Sequence, residues 1–227
     1  RYLHIVFGIL WVGLLYFLNL VNAPAMKEFD GTTKVKVVSV MMPRLMWWFR
    51  WSSVVVWLAG FRYFMILAKT DASNAGDPTL MWKWLGIWFG VWVVAFVVLY
   101  GLVMATPTSF GNKGAVLAVT ATLVVAGTAW LVLNLLAHPG AGNRTLSIAI
   151  GGGMGTIMFL NVWGIIWRCQ KQLIGWAQQT VQDGLPAPSA AEKLQRIVFL
   201  ASRMNFWLSF PMLFFMAASA HFEFLMG

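Results

Sequence analysis

Long apolar runs separated by short polar stretches set the pattern of this chain. Six such runs lie at about 2–22, 46–68, 82–104, 115–137, 146–168 and 199–221. Each is close to the roughly 20 residues a helix needs to cross the hydrocarbon core of a bilayer. Residues that stop helices stand between them. Ala23-Pro24 ends the first run, Asp71 to Pro78 separates the second from the third, Thr106-Pro107 closes the third, and His138-Pro139-Gly140 closes the fourth. Residues 170–193 form a polar connector with Pro186 and Pro188, in which Leu173–Val181 predicts a short interfacial helix. The expected fold is all-α: one polytopic membrane domain over residues 1–227, with about six transmembrane helices.

Composition supports that reading. The chain is 60% hydrophobic and 10% charged, whereas a soluble domain carries roughly a quarter charged residues. Its net charge of +9 does not point to nucleic acid, because the basic residues fall between apolar runs rather than along one polar face. With six spans both ends share a side. That side carries Arg1, Arg62, Lys69, Lys83 and Arg144, against eleven basic residues on the other. Loop Lys and Arg concentrate in the cytoplasm, so both ends are expected to be periplasmic in a bacterial inner membrane. The first run has no signal-peptide cleavage pattern and reads as a retained span. A single cysteine, Cys169, rules out an internal disulfide and a c-type haem motif within these residues.

Candidate chemistry clusters at the periplasmic ends. At about 3.6 residues per turn, His4, Gly8, Trp11, Leu15 and Asn22 share one face of the first helix, and His4, His138 and His221 all fall on the same side of the membrane. His4 and His221, with Trp11, Phe7 and Phe222 as walls, are the candidate ligands for one b-type haem, which needs imidazoles facing an apolar pocket between helices. Arg50 and Arg62 lie near enough to span ends to reach headgroups. No acidic residue sits mid-span, which disfavours a proton-coupled pump. Gly151 and Gly155 have the spacing that lets two membrane helices approach closely, and Gly8 is a further small packing residue. Asn161 and Asn205 are expected to hydrogen-bond between helices, and Pro211 interrupts the sixth. The Gly151-Gly152-Gly153-Met154-Gly155 run lacks the Lys-Ser/Thr ending of a phosphate loop.

Several stretches together carry a family likeness. The opening Arg-x-Leu-His…Gly-Ile-x-Trp-Val-Gly, Trp48-Phe49-Arg50-Trp51…Trp57-Leu58-Ala59-Gly60, Gly155-Thr156-Ile157-Met158…Asn161-Val162, and Ser202-Arg203-Met204-Asn205…Pro211-Met212-Leu213-Phe214 with His221 occur in the order of a known membrane domain. The chain resembles the membrane part of PuuD-type urate hydroxylases, the urate oxidase N-terminal domain family. That resemblance implies a helical membrane domain that passes electrons from urate oxidation to a C-terminal cytochrome c. It also implies histidines where this chain has Trp47, Ala149 and Met204, and a glutamate where it has Ser52. None of these replacements ionises or binds metal as the family residue would. The expectation is therefore an accessory membrane subunit of a larger electron-transfer complex, respiratory or photosynthetic, embedded in lipid among other subunits. The alternatives are a redox protein with one b-haem that reduces a cytochrome c, and a small-solute transporter.

Overall fold

The computed structural model describes residues 1–109, 114–137 and 141–222. His138, Pro139, Gly140 and Lys113 lie outside the described residues. Among the described residues eight α-helices follow in order: α1 (Tyr2–Tyr16), α2 (Ala23–Glu28), α3 (Gly31–Asn74), α4 (Leu80–Ser109), α5 (Gly114–Leu136), α6 (Asn143–Asn161), α7 (Trp167–Asp183) and α8 (Ala190–His221). π-helical turns at Phe17–Asn22 and Val162–Ile166 join α1 to α2 and α6 to α7, so each of those pairs runs as one continuous rod. Among the described residues six helical segments are long and apolar enough to cross a membrane, and the fold is all-α as expected.

Two helices extend well beyond their apolar runs. α3 begins fifteen residues before the second run, at an N-cap where Asp30 Oδ1 accepts the Thr33 backbone N–H at 3.0 Å. The connector expected at 170–193 is helical as far as Asp183 and stops at Gly184, whose φ of 69° is left-handed. The reason is amphipathicity. Cys169, Leu173, Ile174 and Ala177 are buried at helical spacing, and α7 packs through them against α3 and α8. Helix α4 likewise continues through Thr106-Pro107 to Ser109.

The α6 rod is the axis of the bundle. Its most apolar window is 67% buried, against 17% for that of Tyr2–Glu28. It can take that place because glycines line it. A Cβ on Gly151 would sit 3.1 Å from the backbone oxygen of Met212, and one on Gly153 would sit 1.8 Å from the Trp92 ring. Thus α8 approaches backbone to backbone on one flank, and a whole indole fills the space on another. Gly155 is in ordinary contact with Met212 at 4.0 Å, while Gly8 has nothing within 4 Å. The small residues that set the packing are therefore Gly151 and Gly153 rather than Gly8. Leu3, Ile5, Ile9, Val97, Leu123 and Trp130 are among the apolar side chains left on the outside, as lipid-facing positions require.

Candidate functional site

His4 projects from the first turn of α1 onto α3. Its Nδ1 lies 2.9 Å from the Val56 backbone oxygen. A carbonyl only accepts, so Nδ1 carries the proton and Nε2 keeps its lone pair. The ring rests on Gly60, where an added Cβ would fall 2.8 Å from Cε1. Arg1 donates to the Tyr63 hydroxyl at 2.8 Å and fixes the same pair of helices. His221 is the last residue of α8 and is exposed. Tyr16 Oη meets Ser209 Oγ at 3.0 Å. From that contact the two histidines stand twelve residues further out on α1 and α8, about 18 Å at the helical rise, at one depth. The side-chain contacts of His4 are nonetheless with α3. Trp11 is buried in the core, its indole N–H without a hydrogen-bond partner.

The middle of the bundle is held by polar groups bonded to one another. Asn161 Nδ2 donates to Asn205 Oδ1 at 2.7 Å, and Asn205 Nδ2 donates to the Met158 carbonyl at 3.0 Å. Both residues are fully buried, which ties α6 to α8 as the sequence led one to expect. The Trp88 indole donates to the Ala149 carbonyl at 2.7 Å, and that of Trp57 to Thr156 Oγ1 at 3.0 Å. Pro211, half-buried, lies within a helix that continues unbroken to His221.

The positions where the family likeness implies ionisable groups are occupied as follows. Ala149 is fully buried beneath Trp88, Met204 is buried, and Ser52 Oγ donates within its own helix to Trp48 and Phe49 carbonyls. Trp47 is exposed at the surface of α3. Among the described residues Asp71, near the C-terminal end of α3, is the one buried carboxylate.

Two further features escaped the sequence reading. Arg50 lies among three indoles, with its guanidinium carbon 3.8 Å from the centroid of Trp167, 5.8 Å from that of Trp163 and 5.9 Å from that of Trp51. These are cation–π distances. Its Nε is buried without a hydrogen-bond partner, and it forms no ion pair among the described residues. The second feature is a cavity of about 410 Å³ between the first π-turn, α3, α7 and α8. Asn19, in that π-turn and 4% exposed, forms part of its wall. Asn19 donates both to Leu15 O and to Ser202 Oγ, each at 2.9 Å. A regular helix would have put Asn22 on the inner face instead. The i→i+5 bonding of a π-turn widens the turn and leaves Asn19 below Trp11 and Leu15. An amide inside an apolar run was the only signal for it in the sequence.

A family model described as urate oxidase N-terminal matches residues 26–227. The match takes in α3 to α8 and begins after α1. No curated protein and no solved structure matches the chain.

Proposed function

Because the chain belongs to the urate oxidase N-terminal family, we propose that it serves as an accessory subunit of a larger electron-transfer complex in a bacterial inner membrane, with both ends periplasmic. One observation carries this reading. Ala149, Met204 and Ser52 stand where the likeness implies titratable groups, and each is spent on packing or on its own helix. The helix-to-helix fit around them is meanwhile intact, through the asparagine pair, the Trp88 bond and the glycine contacts of α6. Such a core suits a scaffold better than an acid–base site for oxidising urate. Arg50 gives the scaffold a contact. A cation held by indoles at the membrane boundary is stabilised further by an anion brought to it, such as a carboxylate on a neighbouring subunit. Purification in a mild detergent followed by native electrophoresis tests this. The chain is expected to migrate with other membrane subunits, and migration alone at every detergent concentration refutes the reading.

A second reading rests on His4. Metal-bound imidazoles commonly donate their other N–H to a backbone carbonyl, and His4 already does so to Val56. His4, through Nε2, and His221 would therefore be the residues that hold a haem iron. Haem b, when bound, would supply a one-electron carrier able to reduce a cytochrome c. The chain's part would be to fix the His4 tautomer through Val56 and its ring position through Gly60. A reduced-minus-oxidised spectrum decides: an α-band lost in His4→Ala and in His221→Ala supports this reading, and no band removes it.

A further inference from the structure

We propose that the cytoplasmic cavity beside the first π-turn is a binding site for a quinol or quinone carried in the membrane. The cavity runs from a mouth at Lys34, Ala187 and Gln195 to an apolar floor at Met46, Phe49 and Ile166. The two ends differ in burial: Ala187 and Gln195 are exposed, whereas Phe49 and Met46 are 1% and 2% exposed. Its volume of about 410 Å³ falls within the roughly 300–1,000 Å³ usual for small-molecule sites. Both π-turns of the protein reach it, the first through Asn19 and Asn22 and the second through Ile166. Such turns interrupt regular hydrogen bonding at an energetic cost and concentrate at functional sites.

The wall chemistry narrows the ligand. Asn19 uses its side-chain N–H groups on Leu15 O and Ser202 Oγ, which leaves Oδ1 as an acceptor with no partner among the described residues, on a residue 96% buried. Ser202 Oγ receives the amide, and its own O–H remains to donate. One acceptor and one donor therefore stand side by side at the wall, the complement of a group that can both give and take a hydrogen bond. Neither is charged. No carboxylate lines the cavity, and Lys34 is its one cation, so a cationic head is disfavoured and a phosphate would meet a single positive charge. Around this pair stand Met26, Met42 and Met46 with Phe49, Trp176 and Phe199. Thioethers and aromatic rings make favourable contacts with a flat ring. A planar head with a ring hydroxyl or carbonyl, followed by an apolar tail, matches each part of this lining. A phospholipid matches only the floor. The inference concerns binding by the chain itself and stands whether or not the chain docks to partner subunits.

The test uses the full chain in detergent and a decyl-substituted benzoquinone, added oxidised or reduced with dithionite, with binding followed by isothermal titration. Saturable one-to-one binding is expected, tighter for the quinol, because only the quinol donates to Asn19 Oδ1. Asn19→Leu should weaken it at least tenfold. As Asn19 also supports the fold, Ala187→Trp is the second variant: it blocks the mouth from an exposed position and should abolish binding while leaving the melting temperature unchanged. Asn134→Leu, which removes an exposed amide bonded only to its own helix, should bind as the parent does. Absence of binding to the parent chain, or equal affinity in the parent and Ala187→Trp, overturns the proposal, as does retention of phospholipid in the cavity against excess quinol. Each of these results leaves the native-electrophoresis outcome untouched.

Discussion

Adding one methyl group to Gly153 is the sharpest test of the packing described above. A Cβ at that position would lie 1.8 Å from Trp92 Cε2 and 2.1 Å from Nε1. The indole cannot swing away as a flexible side chain would, because Trp92 is fully buried in the core cluster. Overpacking of this kind costs about 1–3 kcal/mol, and occasionally more; so short an approach puts Gly153→Ala at the upper end. Against this, alanine is favoured over glycine in a helix by about 1 kcal/mol. The balance is a loss of about 2 kcal/mol, or a melting temperature lowered by roughly 4–8 °C for a chain of this size. Gly127→Ala is the control, since nothing lies within 4 Å of its added Cβ, and there the helix preference should show alone with the opposite sign. The measurement is thermal unfolding in one detergent, followed by aggregation or by fluorescence-detected size exclusion. A second cycle uses Trp92→Leu, which removes the atoms that clash. In that background Gly153→Ala should be neutral or stabilising, so that the two substitutions couple strongly. The reasoning fails if Gly153→Ala melts with the parent chain, or if its cost survives in the Trp92→Leu background.

The asparagine pair should behave non-additively. Asn205→Leu strands Asn161 Nδ2 and should cost about 1–2 kcal/mol in thermal unfolding, while Asn161→Leu with Asn205→Leu should cost less than that single change; equal or additive losses would contradict the pairing. Arg50→Lys keeps the charge and loses the planar stack on Trp167, so it should weaken the native complex nearly as much as Arg50→Gln does, and full retention by the lysine variant would show that charge alone matters. The first turn of α3 should loosen in acid. The side-chain bond from Thr33, helped by the Thr33 backbone N–H, holds the Asp30 carboxyl below its ordinary value. Its contribution is therefore complete above the unfolded carboxyl's pKa and disappears as pH falls through the lower, folded value. Hydrogen exchange at Thr33 and Lys34 should speed up over that acidic window in the parent chain and be pH-insensitive beyond the intrinsic rate in Asp30→Ala; identical profiles would remove the cap from the account.

The membrane fold was legible in the one-dimensional pattern because a span is a local requirement. About 20 apolar residues bounded by polar breakers need no partner to be recognised. The same holds for the Asn161 and Asn205 assignment, since an amide in hydrocarbon must find a bond wherever its helix packs. Helix ends were less legible. A short helix over Leu173–Val181 was legible, but not that it would run on unbroken from the fifth span, because its buried stripe is stabilised by α3 and α8 beside it. The glycine question was likewise beyond the sequence. Gly8, Gly151 and Gly153 are chemically alike, and only the approach of Met212 to one and Trp92 to another separates them from the open position of Gly8. The cavity beside the first π-turn and the Arg50 cage combine residues from distant elements, some 100 or more positions apart. The π-turn that brings Asn19 to the cavity wall changes its rotational register without any marker residue. By itself, then, the sequence determined the number of span-length apolar helices and the family likeness. Tertiary structure alone decided which small residues bear contact, which polar groups are already satisfied and which, Asn19 Oδ1 and Asn161 Oδ1 among them, can still accept a bond, because those properties depend on what stands opposite each side chain.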